Sequence, residues 1–242
     1  MKIIICFMSI VIAFTSTSFG QSVMNFQNGT AVEVQAGADI CADQININGT
    51  FSGSGTICGG PVYLLNLTLI IQGFYNSSLD VMVPDTLTVY LRNSFFPFAI
   101  ADSAKSMLNF TGSGSFLFFN AINGTNYYLV TKHRNSLETW SSSTQLFAGN
   151  SLTYDFTPAV TQAFGNNMKQ VDFSPVRFGI YSGDVNQDGI VDASDISLVD
   201  NDALNALSGY EPSDLNGDDF VDASDLEIVD NNAFNAVSVI SP

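Results

Sequence analysis

The sequence predicts a mainly β protein in which a β-sandwich occupies the middle of the chain and a small helical module follows it. Alternating apolar segments separated by glycine-rich turns run through residues 61–180 and indicate the sandwich. A repeat of 30 residues fills residues 181–242, and each copy ends in an amphipathic segment. Two shorter segments, residues 1–20 and 21–60, precede these regions.

Residues 1–20 have the pattern of a secretion signal peptide. Lys2 supplies a positive charge, residues 3–14 form a largely apolar core, and small residues stand at Ser18 and Gly20. We expect cleavage before Gln21 and a protein that is secreted or held at the cell surface. The apolar core is too short to cross a bilayer, so no membrane span is expected.

Residues 21–60 form a short β-rich segment that contains two cysteines. Alternating residues and Asn-Gly or Ser-Gly pairs predict two or three strands joined by turns. In an oxidising setting we expect a disulfide between Cys41 and Cys58, with two buried free thiols as the alternative. The pattern leaves open whether this segment is a separate unit or the first edge of the sandwich.

Residues 61–180 alternate as strands do, and nothing in them keeps a helical period. Leu87, Val89 and Leu91 share one face of a candidate strand, while the residues between them share the other. Short strands at this spacing predict a sandwich of Ig-like or prealbumin-like type. The main candidates are residues 64–71, 86–91, 115–119, 126–132, 145–147 and 151–156.

A shorter stretch is similar to prealbumin-like and collagen-binding B-type sandwich domains. Gly114, Phe116 and Phe118 lie before an Asn-Gly turn at residues 123–124, and a Tyr-Tyr-Leu-Val strand follows from Tyr127. The resemblance implies that the two strands form a hairpin.

No catalytic motif marks the middle region, and we expect no enzymatic activity. His133 is the only histidine, and its position between two basic residues is more typical of a surface or strand end than of a catalytic site. Scattered aspartates could cleave a glycoside only if folding brought two of them together.

An aromatic set in the same region has two interpretations. It could form a platform that stacks on sugar rings, which would make a polysaccharide a possible partner. It could instead fill an aromatic sandwich core, which is the favoured interpretation in a chain with 20 Phe and 8 Tyr. The residues are Trp140, Tyr127, Tyr128, Phe147 and Tyr154.

Residues 181–242 contain the same twelve-residue pattern twice, beginning at Asp184 and at Asp214. Side-chain oxygens recur at positions 1, 3, 5, 9 and 12, and position 7 would offer its carbonyl, which is the spacing of an EF-hand calcium loop. We therefore predict two Ca²⁺ ions. The predicted ligands are Asp184, Asn186, Asp188, Ile190, Asp192 and Asp195 in the first loop, and Asp214, Asn216, Asp218, Phe220, Asp222 and Asp225 in the second.

Position 6 of each loop must accept a sharp turn. Gly189 suits a positive φ at this position, whereas Asp219 in the second loop is a departure that should cause some strain. Position 12 carries aspartate in both loops, and its shorter side chain reaches less far than glutamate.

The negative charge is concentrated in residues 181–242. They hold 14 of the 23 acidic residues and none of the seven basic ones. Such a module repels nucleic acid and anionic membrane surfaces, and without metal its own repulsion should loosen it.

The paired loops resemble the type I dockerin family, whose opening is similar to residues 183–189. The resemblance implies a helix after each loop, two calcium ions and a cohesin-like protein partner. It also implies that two residues of each loop and two of each following helix choose that partner. The matching positions are Ala193, Ser194, Asp200 and Asn201 in the first repeat, and Ala223, Ser224, Asp230 and Asn231 in the second.

Three functions fit these features. The first is a secreted, non-catalytic protein that docks through residues 181–242 and carries the sandwich as cargo or spacer. The second is an accessory component of a polysaccharide-degrading complex, in which the sandwich binds glycan or, less readily, cleaves it. In the third, the paired loops pack on the sandwich as a calcium-stabilised cap.

Overall fold

The computed structural model describes residues 62–242 in full and, before them, the backbone of six short strands between residues 23 and 58. The chain divides into two compact units, residues 1–59 and residues 60–242. The predicted signal peptide, residues 1–20, lies outside the described residues. Within the described part, no helix is long and apolar enough to cross a membrane.

The N-terminal unit is built from parallel strand pairs. Three strands are followed by three more, and each strand of the first set pairs with the corresponding strand of the second, as in two successive turns of a coil. The register places Cys41 directly opposite Cys58. The strands are β1 (Val23–Phe26), β2 (Ala31–Val34), β3 (Asp39–Cys41), β4 (Gln44–Ile47), β5 (Thr50–Gly53) and β6 (Thr56–Cys58).

The second unit begins with a mainly β region, as predicted. Two short 3₁₀ turns, Val160–Gln162 and Phe164–Asn166, interrupt its strands. The strands are β7 (Tyr63–Thr68), β8 (Tyr75–Asn76), β9 (Val81–Met82), β10 (Asp85–Asn93), β11 (Ile100–Leu108), β12 (Ser113–Phe118), β13 (Asn126–Lys132), β14 (Thr139–Trp140), β15 (Gln145–Leu146), β16 (Ser151–Asp155), β17 (Lys169–Phe173) and β18 (Val176–Gly179).

Two sheets form the sandwich. The larger has the order β11-β10-β13-β14, with β15 also paired to β13, and all of its pairs are antiparallel. The smaller has the order β12-β7-β16, and it is mixed because β16 runs parallel to β7. β8 pairs with β9 and β17 pairs with β18 as antiparallel two-stranded ribbons. The β-sandwich prediction is thus confirmed.

The core lies between the two sheets and follows the alternation of the sequence. Leu87, Val89 and Leu91 of β10 are fully buried, while the residues between them are only partly buried. Leu65 and Leu67 face them from β7 in the other sheet, within one apolar cluster. Burial of each such side chain contributes about 1.5–3 kcal/mol.

The predicted hairpin of residues 114–130 is wrong. β12 pairs with β7 in the smaller sheet, whereas β13 pairs with β10 in the larger one. Both strands bury one face in the same core, so their alternation is the same whether they pair with each other or face each other across the sandwich. The link at residues 119–125 therefore connects the two sheets.

Residues 181–242, called the tail below, form two twelve-residue helices, α1 (Ala193–Leu204) and α2 (Ala223–Phe234). Each helix begins directly after the ninth position of a predicted loop. Each ends at an asparagine that is followed by an alanine with a left-handed backbone, Ala206 or Ala236, both at φ 50°. The prediction of a helix after each loop is confirmed.

A second apolar cluster holds the tail together, and one of its members belongs to the sandwich. Val191, Val199, Val221 and Val229 are buried there together with Leu137, which lies between β13 and β14. The backbone of Leu137 donates a 2.9 Å hydrogen bond to the carbonyl of Tyr181. The tail therefore packs on the sandwich and shares its core with it.

Candidate metal centre and docking face

The first residue of each loop is an aspartate that is almost fully buried. Asp184 is 2% exposed and Asp214 is 1% exposed. In loop 2, Asp214 Oδ1 accepts a 2.7 Å hydrogen bond from the backbone of Gly217. In loop 1, Asp184 Oδ1 finds no hydrogen-bond partner among the residues that the structure describes. A buried carboxylate oxygen without a donor is costly unless a cation approaches it.

The twelfth residue of each loop folds back over the loop. Asp195 Oδ1 accepts from the backbone N–H groups of Val185 and Asn186, at 2.9 and 3.1 Å. Asp225 Oδ1 makes the same pair of bonds in loop 2, at 2.6 and 3.1 Å. Both aspartates are fully buried. The repeat is therefore reproduced in three dimensions down to single hydrogen bonds.

Positions 3 and 5 also interact in the same way in both loops. Asn186 Nδ2 donates to Asp188 Oδ2 at 2.9 Å, and Asp188 Oδ1 accepts from the backbone of Ile190 at 3.0 Å. Asn216 and Asp218 repeat the first contact at 3.1 Å. These contacts tie position 3 to position 5 in each loop.

The sixth residue of each loop has a positive φ, as the EF-hand spacing predicts. Gly189 is at φ 90° and Asp219 at φ 68°. Asp219 therefore adopts a left-handed backbone that glycine tolerates better, at a cost of about 1 kcal/mol or more.

The ninth and twelfth positions have a second role that the sequence interpretation missed. Asp192 is the N-cap of α1, and its side chain accepts from the backbone of Ser194 at 2.7 Å. Asp195 accepts in turn from the backbone of Asp192 at 3.0 Å, which completes a capping box. Asp222 and Asp225 repeat the arrangement in α2. The Asp-Ala-Ser-Asp segment itself was the signal for this cap.

Each loop is hydrogen-bonded to the segment that follows the helix of the other repeat. Val191 in loop 1 donates to the carbonyl of Val237, which follows α2, at 3.0 Å. Val221 in loop 2 donates to the carbonyl of Leu207, which follows α1, at 3.0 Å. Each loop thus depends on the helix of the other repeat for its position.

The donor set fits a hard cation such as Ca²⁺. It consists of carboxylate, amide and carbonyl oxygens. Within residues 62–242, no three carboxylate, imidazole or thiolate groups already lie close enough to hold a metal. Several loop oxygens accept backbone hydrogen bonds instead. Oδ1 of Asp184 has no such donor among the described residues. Burial raises the pKa of Asp184 to about 6, with the charges of Asp195 and Asp188 acting in the same direction, and backbone hydrogen bonds from Gly189 and Asp188 only partly oppose the rise.

The eight positions predicted to choose a partner are all exposed. They lie at the start of α1 and α2 and again two turns later, on the same side of each helix. Leu204 and Phe234 extend these two sides at the helix ends and are 78% and 89% exposed. The sequence interpretation missed these two residues, although their spacing of three or four residues from the preceding predicted positions was visible.

The tail meets the sandwich through a polar cluster around Asp85, Arg134 and Tyr210. Tyr210 donates to Asp85 Oδ1 at 2.7 Å, and Arg134 donates to Asp85 Oδ2 at 3.1 Å. Burial opposes ionisation of Asp85, but hydrogen bonds from His133 and Tyr210 outweigh it and hold the pKa below its usual range.

His133 belongs to this cluster. It lies at the end of β13, as its sequence position suggests, but it is buried rather than on the surface. Its Nε2 is 3.1 Å from Asp85 Oδ2, and its Nδ1 is 3.0 Å from Asn135 Oδ1. These buried partners give the ring a structural role.

The predicted aromatic set is divided between two places. Tyr127, Phe147 and Tyr154 lie in the sandwich core. Tyr128 and Trp140 lie together on the other face of the larger sheet, with ring centroids 5.7 Å apart. Trp140 is buried and does not offer a free stacking surface.

A separate cleft of about 220 Å³ lies at one end of the smaller sheet. It is lined by Tyr75, Phe110, Asp80, Asp155 and Arg177, together with several threonines. Phe110 is 60% exposed, and Arg177 binds Asp80 at 3.2 Å. The cleft therefore combines an exposed ring with charged hydrogen-bonding groups.

The comparison with protein families identifies the tail. The sequence model described as Dockerin type I domain matches residues 182–233, about a fifth of the chain. No curated protein matches the chain. Dockerin type I domains bind calcium in general, and the match supports a role in protein–protein docking.

Proposed function

We propose that this is a secreted, non-catalytic protein whose tail, ordered by two calcium ions, docks to a cohesin-like protein. The match of residues 182–233 to the dockerin family carries the proposal. The exposure of all eight predicted partner positions supports it, because packing on the sandwich leaves both helix faces free. The sandwich would be the cargo or a spacer.

Six residues of each loop would hold one ion. Asp184 and Asp214 would supply the first carboxylates, and Asp195 and Asp225 the last. The calcium ion, when bound, would neutralise these buried carboxylates and hold each loop against its helix. The support is the all-oxygen donor set, the repeated hydrogen bonds of both loops and the buried free oxygen of Asp184.

Calorimetric titration tests the ligand set. We expect two calcium ions for the unaltered protein and one for either Asp184→Ala or Asp214→Ala. Asp200→Ala, which removes an exposed carboxylate from α1, serves as the control and should still bind two. A stoichiometry of two after both loop substitutions would contradict the ligand assignment.

A docking measurement tests the partner. The full chain is passed over a panel of immobilised cohesin domains in calcium and again in a calcium chelator. We expect binding to at least one domain in calcium and none in chelator. If either repeat can face the partner, Leu204→Ala or Phe234→Ala alone should weaken binding little, and the double variant should weaken it strongly. Failure to bind any cohesin domain in calcium would count against a cohesin-like partner.

A second function, polysaccharide binding by the sandwich, is favoured by the cleft beside Phe110. An exposed ring can stack on a sugar, and Asp80, Asp155 and Arg177 can bond its hydroxyl groups. Pull-down on insoluble polysaccharides, with Phe110→Ala compared against Phe95→Ala, tests it. Phe95 is a suitable control because it is 68% exposed and lies in a different loop. Absence of retention on any polysaccharide would rule this function out.

The third function, a calcium-stabilised cap, is favoured by Leu137. This residue of the sandwich lies in the apolar cluster of the tail, so the two regions share part of their core. Deletion of residues 181–242 should then lower the unfolding temperature of the sandwich. An unchanged melting curve would show that the tail does not contribute to the stability of the sandwich. Capping and docking are compatible, since they use different faces of the tail.

We also infer a disulfide between Cys41 and Cys58 and export through residues 1–20. The two cysteines are register partners on adjacent parallel strands. Neighbouring strands lie about 4.8 Å apart, which falls within the range of about 4.4–6.8 Å between Cα atoms in disulfides. Intact mass after thiol alkylation, with and without reduction, distinguishes the disulfide from two free thiols.

A further inference from the structure

Arg134 of the β-sandwich reaches into the second loop of the tail. Its Nη2 lies 3.5 Å from Oδ2 of Asp214, the residue at the first ligand position. Asn135, the next residue, donates from Nδ2 to the backbone carbonyl of Asp214 at 2.7 Å. The start of loop 2 is therefore held by a cation and an amide that lie outside the tail.

The position of Arg134 is tightly restrained. Its guanidinium lies 4.3 Å from the ring centroid of Tyr210 and 5.3 Å from that of Phe74. Its Nε is bonded to Asp85, and only 13% of its side chain is exposed. Three contacts besides Asp214 thus hold the positive charge beside loop 2.

Among the residues that the structure describes, loop 1 has no equivalent counter-ion. Asp184 Oδ1 is buried and has no hydrogen-bond partner among the described residues, and Asp184 forms no ion pair there. Lys132 lines the same crevice but forms no ion pair with Asp184, and Glu138, which also lines it, pairs with Arg92 at 3.8 Å. The first ligand position is thus free for a cation in loop 1 and already paired with one in loop 2.

We infer that Arg134 is an internal counter-ion of the second loop and makes the two calcium sites unequal. The first loop binds calcium tightly, and the second binds it weakly because the ion must share Asp214 with a fixed positive charge. A unit charge a few Å from a divalent ion is strongly repulsive even at a surface-like dielectric constant. This inference rests on the proposed function, since it requires that both loops bind calcium.

The ion pair between Arg134 and Asp214 also has an effect in the metal-free protein. It neutralises part of the charge of Asp214 in a tail that carries no basic residue of its own. Loop 2 therefore has a counter-charge for its first carboxylate without metal, whereas in loop 1 the ion supplies that charge. Arg134 is a positioning residue of the calcium site and not one of its ligands.

Calorimetric titration of single-site variants tests the inference. Asp214→Ala leaves only loop 1, and Asp184→Ala leaves only loop 2. We expect loop 1 to bind calcium at least tenfold more tightly than loop 2. Arg134→Gln, added to Asp184→Ala, should tighten loop 2 at least tenfold, and added to Asp214→Ala it should change loop 1 by less than threefold.

Two further variants separate charge from structure. Arg134→Lys keeps the charge and should leave loop 2 weak. Lys105→Gln removes an exposed positive charge from β11 and should change neither site. Thermal unfolding in calcium checks that each variant folds. If Arg134→Gln does not fold, the calcium affinities of Asp214→Ala and Asp184→Ala alone decide whether the two loops are unequal. Equal affinities of the two loops, or a loop 2 unchanged by Arg134→Gln, would overturn the inference. Absence of calcium binding at either loop would instead overturn the proposed function.

Discussion

The side-chain amide of Asn232 donates to Oε1 of Gln72 at 2.8 Å and also to the carbonyl of Ser182 at 2.7 Å, and so connects α2 to the sandwich. The equivalent residue of the first repeat is Asp202, which is not buried in this way and accepts a hydrogen bond from Ser213. The repeats therefore differ where the second one contacts the sandwich. Gly217 also lies against the sandwich, next to Phe74, and its counterpart in the first repeat is a different residue, Gln187.

Asn232→Asp is expected to destabilise the protein strongly. The change buries a carboxylate next to the oxygens of Gln72 and Ser182 and removes both donated bonds. Uncompensated burial of this kind costs about 2–4 kcal/mol. Thermal unfolding measures the change. Asn231→Asp, one residue away and exposed, is the matched control and should alter stability little.

Gly217→Ala is expected to destabilise the protein by disrupting the contact between loop 2 and the sandwich. A Cβ on this residue would lie 2.7 Å from Cε1 of Phe74, at a backbone φ of 76°. Gly124→Ala is an unusually close control, since φ there is 74° and nothing lies within 4 Å of the added carbon. Both variants share the backbone strain, and the overpacking adds about 1–3 kcal/mol only at residue 217. Equal destabilisation of the two variants would contradict the contact with Phe74.

Ala206→Gly and Ala236→Gly are each expected to stabilise the tail. Both alanines follow a helix end at φ 50°, and the residues after them, Leu207 and Val237, bond back to the helix as in a Schellman motif. Relief of the left-handed strain outweighs the extra freedom of glycine in the unfolded chain, for a gain of about 0.5–1 kcal/mol each.

Denaturant unfolding in the presence of calcium measures the gain. Ala203→Gly, inside the last turn of α1, is the control and should lower stability, because glycine is a poor helix former. A loss of stability in all three variants would show that residues 206 and 236 are not strained.

Asp184→Asn is expected to change stability in opposite directions with and without calcium. The pKa of Asp184 is raised from 3.8 to about 6, chiefly by burial. Between about pH 4 and about pH 6, therefore, Asp184 is protonated in the folded metal-free protein but ionised in the unfolded chain. Metal-free stability therefore falls as the pH rises from about 4 to about 6 and stays low above that. At pH 7 the amide removes this cost and should stabilise the metal-free protein by about 1–3 kcal/mol.

In saturating calcium the same variant should be less stable than the unaltered protein, because one ligand charge is lost. Thermal unfolding at pH 7, once in chelator and once in calcium, measures the change in stability under each condition. Asp200→Asn, on the exposed side of α1, should change neither value much. Destabilisation by Asp184→Asn in both conditions would indicate an ordinary structural aspartate.

Local patterns predicted some features well and others poorly, for identifiable reasons. Alternation predicted β10 and its buried leucines because the period of a strand is visible in the sequence. It could not say that β12 and β13 belong to different sheets, because pairing partners leave no trace in alternation. The twelve-residue spacing predicted the positive φ of Asp219, but its Asp-Ala-Ser-Asp segment was assigned to calcium ligands alone and its role as a helix cap was overlooked.

The sequence by itself determined that the chain ends in two copies of an oxygen-rich loop, each followed by a helix, since spacing and chemistry are local properties. Only the tertiary structure decided that the copies are not equivalent. Leu137, Arg134 and Asn135 come from a turn of the sandwich some 80 residues before loop 2. Asn135 contacts both repeats, whereas Arg134 pairs with Asp214 of the second loop and not with Asp184 of the first. Contacts between segments so far apart depend on how the two regions pack, and no repeat pattern within the tail encodes them.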